Sequence, residues 1–149
     1  MNIIFVGPTG VHHALIAAHI FMGDLHNNDY RQVKHFDDHK RDLSGELIYV
    51  GQDKEGAQVY TFGAGRNHEL AAVIISDFRS LFGIGPEELV AWAVTVPGYL
   101  LFYALGYIPP CLGGRYLTNL LAGWLSVRQF EHIRTETLAF KDELKRVRR

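Results

Sequence analysis

The stretch IIFVGPTGVHHAL, Ile3 to Leu15, joins an apolar run to a glycine-bearing turn and then to small and apolar residues. Ile3-Ile4-Phe5-Val6 has no polar alternation, the pattern of a strand covered on both faces. Leu15, Ile16, His19 and Ile20 recur at helical spacing over 12–22, and Gly23 suits the stop. A buried strand running through a glycine turn into a helix is where many α/β proteins hold a phosphate. Set against G-x-x-x-x-G-K-[ST], the turn matches at Gly7-Pro8-Thr9-Gly10-Val11. It then departs, with His12 for the second glycine, His13 for the lysine and Ala14 for the metal-binding hydroxyl. The lysine charge and the hydroxyl are what nucleotide hydrolysis by that route needs, so that chemistry is excluded. Anion attraction by backbone N–H groups and the helix dipole is retained.

Further along, Glu46–Gly51 and Ala57–Gly63 read as two strands joined by Gln52-Asp53-Lys54-Glu55-Gly56, an antiparallel hairpin. A helix is expected from Asn67 to about Phe82, with Leu70, Val73, Ile74 and Phe78 on one face. Leu89–Thr95 reads as another apolar strand. Helices follow at Tyr99–Tyr107 and Tyr116–Leu125, a last strand at Gln129–Thr135 and a closing helix at Leu138–Val147. Strands alternating with helices predict a three-layer, Rossmann-like α/β domain over residues 1–149, with a mostly parallel sheet and one antiparallel hairpin.

The 149 residues are 48% hydrophobic and carry a formal net charge of −1. That balance lacks the basic footprint of a nucleic-acid binder. The basic tail Lys145-Arg146-Val147-Arg148-Arg149 suits a helix C-terminus. Cys111 is the lone cysteine and excludes an internal disulfide, which fits a reducing cytoplasm. Met1-Asn2 offers no leader-type positive region. Leu89 to Gly114 carries no Asp, Glu, Lys or Arg, yet Pro97-Gly98, Gly106 and Pro109-Pro110 cut it into pieces too short for a membrane span.

In an open α/β sheet, ligands bind beyond the carboxyl ends of the strands. Two glycine turns fall there: the opening one, and Gly63-Ala64-Gly65-Arg66-Asn67, which adds a guanidinium suited to phosphate or carboxylate. Of eight histidines, His12 at a helix N-terminus is the best placed for acid–base work, with His13 beside it. His35 and His39 have the i, i+4 spacing of a metal pair, with Asp37 and Asp38 between them, but a third ligand must come from elsewhere.

Taken together, these segments resemble domain-of-unknown-function family 3189, small uncharacterised proteins of spore-forming Firmicutes. The residues that carry the resemblance are Gly10-Val11-His12, Phe36-Asp37, Gly51-Gln52-Asp53-Lys54-Glu55-Gly56 and Val59-Tyr60-Thr61-Phe62-Gly63-Ala64-Gly65. Val94-Thr95-Val96-Pro97 and Gly113-Gly114 are similar to later features of the family. Val11 replaces a threonine of the first turn and His13 a small hydroxyl residue, so no hydroxyl-dependent role is carried over for them. The resemblance implies a fold and a cytoplasmic setting. It marks His12, Asp37 and Gly63-Ala64-Gly65 as family positions without assigning them chemistry.

Three functions stand open on these grounds. The first is binding of a small phosphate-bearing anion by Thr9, Gly10, Asp37, Gly63, Gly65 and Arg66, with His12 and His13 as acid–base groups and no metal or cofactor assigned. The second is an interaction or homo-oligomeric protein using the aromatic C-terminal region, Trp92, Tyr99, Phe102, Tyr103, Tyr107, Tyr116 and Trp124. The third is a metal-dependent hydrolase using His12 or His13 with His35, Asp37 and His39.

Overall fold

The computed structural model describes residues 1–25, 27, 29, 30, 33–98 and 114–147. The chain runs β1 (Asn2–Gly7), α1 (His13–Met22), α2 (His39–Leu43), β2 (Ile48–Gln52), β3 (Gln58–Gly63), a 3-10 turn (Gly65–Asn67), α3 (His68–Leu81), β4 (Leu89–Ala93) and α4 (Gly114–Val147). The sheet order is β2-β3-β1-β4. β1 pairs in parallel with β3 and β4, while β2 and β3 are antiparallel. This is the expected α/β sheet, mostly parallel with one hairpin.

β1 lies second from one edge and is covered on both faces, which explains its unbroken apolar run. Ile3 and Phe5 point to one side, into a core with Phe21 of α1 and Phe130, Ile133, Phe140 and Leu144 of α4. Ile4 and Val6 point to the other, toward Ala72 and Ile75 of α3. Phe5 is fully buried. Its ring meets Phe21 and Trp92 at 5.6 Å and Phe140 at 6.0 Å, all edge-on.

The hairpin turn is built by Asp53, whose carboxylate accepts from Glu55 N at 2.9 Å and Ala57 N at 2.8 Å. Gly56 takes the left-handed conformation there, φ 84°. Gly51 lies against Met22, whose sulfur would be 3.0 Å from any added Cβ. The glycine–aspartate–glycine pattern of this segment therefore has a structural explanation in the turn and in close packing.

One sequence expectation is corrected. Gln129–Thr135 is not a strand, and no break separates it from its flanking helices: α4 is continuous over 34 residues. Among its described side chains the buried ones are Phe130, Ile133, Thr137, Phe140 and Leu144, at alternating spacings of three and four residues. A window of seven residues is too short to show that period. α3 forms near where expected, and the apolar face that the spacing predicts lies outward. Leu70, Val73, Ile74 and Phe78 are each about half exposed, with Leu81 and Phe82 more so. The sheet is met instead by Ala72 and Ile75, with Leu89 and Ala91 of β4.

The helix expected at Tyr99–Tyr107, and Cys111, lie outside the described residues. No described helix is long and apolar enough to cross a membrane.

Because Phe5 joins β1, α1, β4 and α4 in one aromatic cluster, Phe5→Ala is expected to cost about 3–5 kcal/mol, and Phe5→Leu under about 2 kcal/mol. Urea unfolding followed by tryptophan fluorescence measures both.

Candidate functional site

Register places the two glycine turns side by side. Gly7 at the end of β1 pairs with Gly63 at the end of β3. α1 then leaves across one face of the sheet and α3 across the other, so the ends of β1 and β3 are the point where the connections diverge. The turns are stitched together by Ala64 N donating to Gly7 O at 2.9 Å and Gly65 N donating to Pro8 O at 3.1 Å. Those two amides serve the fold and do not face a ligand. A Cβ on Gly10 would stand 3.0 Å from Gly63 N, so only glycine allows this approach.

Between the turns sits a group the sequence did not flag. Gly10 N donates to Asp42 Oδ1 at 2.6 Å. The same carboxylate fills the space left by the missing Gly63 side chain, where an added Cβ would lie 2.4 Å from Asp42 Oδ1. Asp42 comes from α2, a five-residue helix on the outside of the molecule, capped by Asp38, which accepts from Arg41 N at 3.4 Å. Leu43 on that helix is 87% exposed. Nothing in the run His39-Lys40-Arg41-Asp42 marks the third position after His39 as aimed at a loop 32 residues upstream.

At the other end of the opening turn, His12 is 1% exposed and has a polar group at each ring nitrogen. Its Nε2 lies 3.1 Å from Asp37 Oδ1, and its Nδ1 lies 2.8 Å from Thr9 Oγ1. A carboxylate only accepts, so the neutral ring carries its proton on Nε2 and takes the Thr9 hydroxyl proton at Nδ1. Phe36 packs edge-on against the imidazole, ring centres 5.4 Å apart. Phe36 in turn meets Tyr30 at 4.8 Å. His35 and Asp37, on either side of Phe36, both have positive φ, 68° and 63°. This sharp local path brings both Phe36 and Asp37 onto one histidine.

The remaining candidates are placed differently. Arg66 is exposed on the 3-10 turn next to Gly65. His13 points into the core, 3% exposed, and burial followed by the neighbouring His12 pushes its pKa down to about 3. His68 at the start of α3 is also buried and shifted down, chiefly by desolvation. His35 precedes α2 rather than sharing a helix with His39, so the i, i+4 metal geometry is not formed. Among the described residues, no three His, Cys, Asp or Glu side chains group as a metal site. In the aromatic set, Trp92 is core, stacked on Phe140 at 4.8 Å; Tyr99, Phe102, Tyr103 and Tyr107 lie outside the described residues, as do the side chains of Tyr116 and Trp124.

Two outcomes follow from this geometry. Gly63→Ala should cost about 1–3 kcal/mol, and Asp42→Ala in the same chain should recover part of it, a coupling above about 0.5 kcal/mol in a double-mutant cycle. Additive effects would show that the carboxylate does not fill that space. His13 stays neutral in the folded protein, whereas the unfolded chain takes a proton below its ordinary value of 6.5. Stability is therefore lost as pH falls below that value, by up to about 1.4 kcal/mol per pH unit. Denaturant unfolding of His13→Leu between about pH 7 and pH 5 should show a shallower fall than the parent.

No curated protein and no solved structure matches this chain closely enough to compare. A family model does: that of the protein of unknown function DUF3189 matches residues 2–142. The hairpin built on Gly51, Asp53 and Gly56, and the paired turns at Gly10 and Gly63, lie within that match, and the chain belongs to this family.

Proposed function

We propose that the protein binds a small phosphate-bearing anion in the crevice between the ends of β1 and β3. The observation that carries the reading is the Gly10 amide, which donates to a carboxylate oxygen in a space that glycine at 63 leaves open. A negatively charged oxygen is thus already accommodated there, supplied by the chain itself. An external phosphate would take its place as α2 moves off, with the start of α1 behind it and the exposed Arg66 guanidinium at the rim. His12, held by Asp37, is the acid–base group beside it. Asp42 acts in this reading as an internal competitor whose charge must be displaced.

Inorganic phosphate should raise the melting temperature of the full chain, with saturating ligand at 100 times its dissociation constant adding about 2.7 kcal/mol. Asp42→Ala frees the donor and removes a like charge, so phosphate should bind at least about tenfold more tightly to it. Arg66→Ala should weaken binding. A melting temperature that phosphate does not move, in either the parent or Asp42→Ala, overturns the reading.

One observation favours a second reading, an interaction or oligomeric protein. Leu70, Val73, Ile74, Phe78, Leu81 and Phe82 form a continuous apolar stripe on the outside of α3. In this second reading the α3 stripe is a candidate contact alongside the C-terminal aromatics. A monomer in sedimentation that is unchanged by Phe78→Glu would count against it.

A further inference from the structure

The anion site has a neighbour that binding alone does not use: a threonine hydroxyl held on a buried imidazole, which is held in turn by a carboxylate. Thr9 Oγ1, His12 Nδ1, His12 Nε2 and Asp37 Oδ1 form a connected line with contacts of 2.8 and 3.1 Å. Thr9 is partly exposed, whereas His12 is sealed beneath it. The next residue after Thr9 supplies the amide that now holds the Asp42 carboxylate. A hydroxyl with a base behind it and an anion donor beside it is the arrangement that nucleophilic transfer requires. The left-handed residues His35 and Asp37 hold the carboxylate in this line.

From this geometry we infer that Thr9 is a nucleophile toward a phosphate monoester seated in the crevice. The inference rests on the anion-binding reading and gives it a reaction. Thr9 Oγ forms a bond to phosphorus while His12 Nδ1 takes the hydroxyl proton, and Asp37 holds the Nε2–H throughout. The ester P–O bond breaks, and the departing alkoxide leaves as an alcohol with the proton from His12. Water then attacks the phosphothreonine with His12 again taking a proton. The P–O bond to Thr9 breaks, inorganic phosphate is released, and His12 Nδ1 returns the proton to Thr9 Oγ to restore the hydroxyl. Thr9 and His12 are the catalytic residues, and Asp37 is a positioning residue.

A fluorophosphonate tests this without a known substrate. Its P–F bond breaks as Thr9 Oγ bonds to phosphorus, the proton passes to His12 and fluoride leaves. Peptide mass mapping of the full-length protein should find the adduct on Thr9, in Asp42→Ala at least as fast as in the parent. Thr9→Ser should keep labelling and Thr9→Val should lose it, while the parent shows the phosphate-induced melting shift. His12→Gln should slow labelling about a hundredfold or more. Asp37→Asn should slow it about tenfold, and Asp37→Glu should recover part of the rate, because the carboxylate is what holds the His12 Nε2–H. Inorganic phosphate should protect Thr9.

If Thr9 and His12 serve only as a cap and a core contact, Thr9→Val lowers stability and Thr9 takes no adduct. Absence of the adduct in the folded parent and in Asp42→Ala overturns the inference even where phosphate binds. Labelling that phosphate does not slow overturns the phosphate-ester assignment. A missing phosphate-induced melting shift instead marks failure of the anion reading beneath it.

Discussion

The burial of β1 on both faces governs the arrangement at the crevice. A strand with Ile3 and Phe5 in one core and Ile4 and Val6 in the other cannot slip register without exposing apolar surface or burying a gap. The fixed register sets Gly7 against Gly63, and so places two turns that are more than fifty residues apart at the same sheet edge. α1 and α3 then leave on opposite faces because each covers one of the two apolar sides. The juxtaposition of the two turns is a consequence of this packing before any ligand is considered. Its two turns touch closely because both contain glycine where they meet.

Close approach also creates an electrostatic demand. The Gly10 amide points into the space between the turns, and a buried N–H without a partner carries a substantial cost. Asp42 meets that demand from α2, a helix too short to be stable without tertiary contacts. The carboxylate and the short helix are therefore mutually dependent: the amide gives α2 an anchor, and α2 delivers the charge. In the proposed reading, an incoming phosphate would offer more acceptor oxygens than a carboxylate but would have to displace that anchor, which would link its affinity to the position of α2.

The sequence made β1, the hairpin and the helix after Gly10 legible, because each is specified locally. β1 shows an unbroken apolar run, the hairpin has Asp53 and Gly56 at its turn, and α1 ends at Gly23 with φ 86°. His12, Thr9 and Asp37 could be singled out, but only as separate residues. Their alignment depends on the fold of the loop from Tyr30 to Asp38, where residues 35 and 37 both adopt a conformation that sequence rarely signals in non-glycine residues. Asp42 was not legible, since its partner is an amide 32 residues upstream and the short segment around it is mostly polar and exposed. α4 was misread for another reason: its heptad-like spacing emerges only over fifteen residues, from Phe130 to Leu144. In α3 the apolar period is legible, but which face meets the sheet is not, because a small-residue face around Ala72 suffices there.

Backbone conformation at His35 and Asp37 adds a final constraint on what the His12 environment is for. A left-handed residue other than glycine costs of the order of 1 kcal/mol, and two lie within three positions. Packing of Phe36 against His12 and Tyr30 offsets part of that cost. A histidine needed only to fill the core could be replaced by an apolar side chain, with no carboxylate required at its far nitrogen. The Asp37 contact instead fixes which nitrogen faces Thr9. Fixing a tautomer matters to a group that exchanges a proton and contributes little to one that merely packs. The strained loop is thus better explained by an imidazole kept in one orientation than by core filling alone.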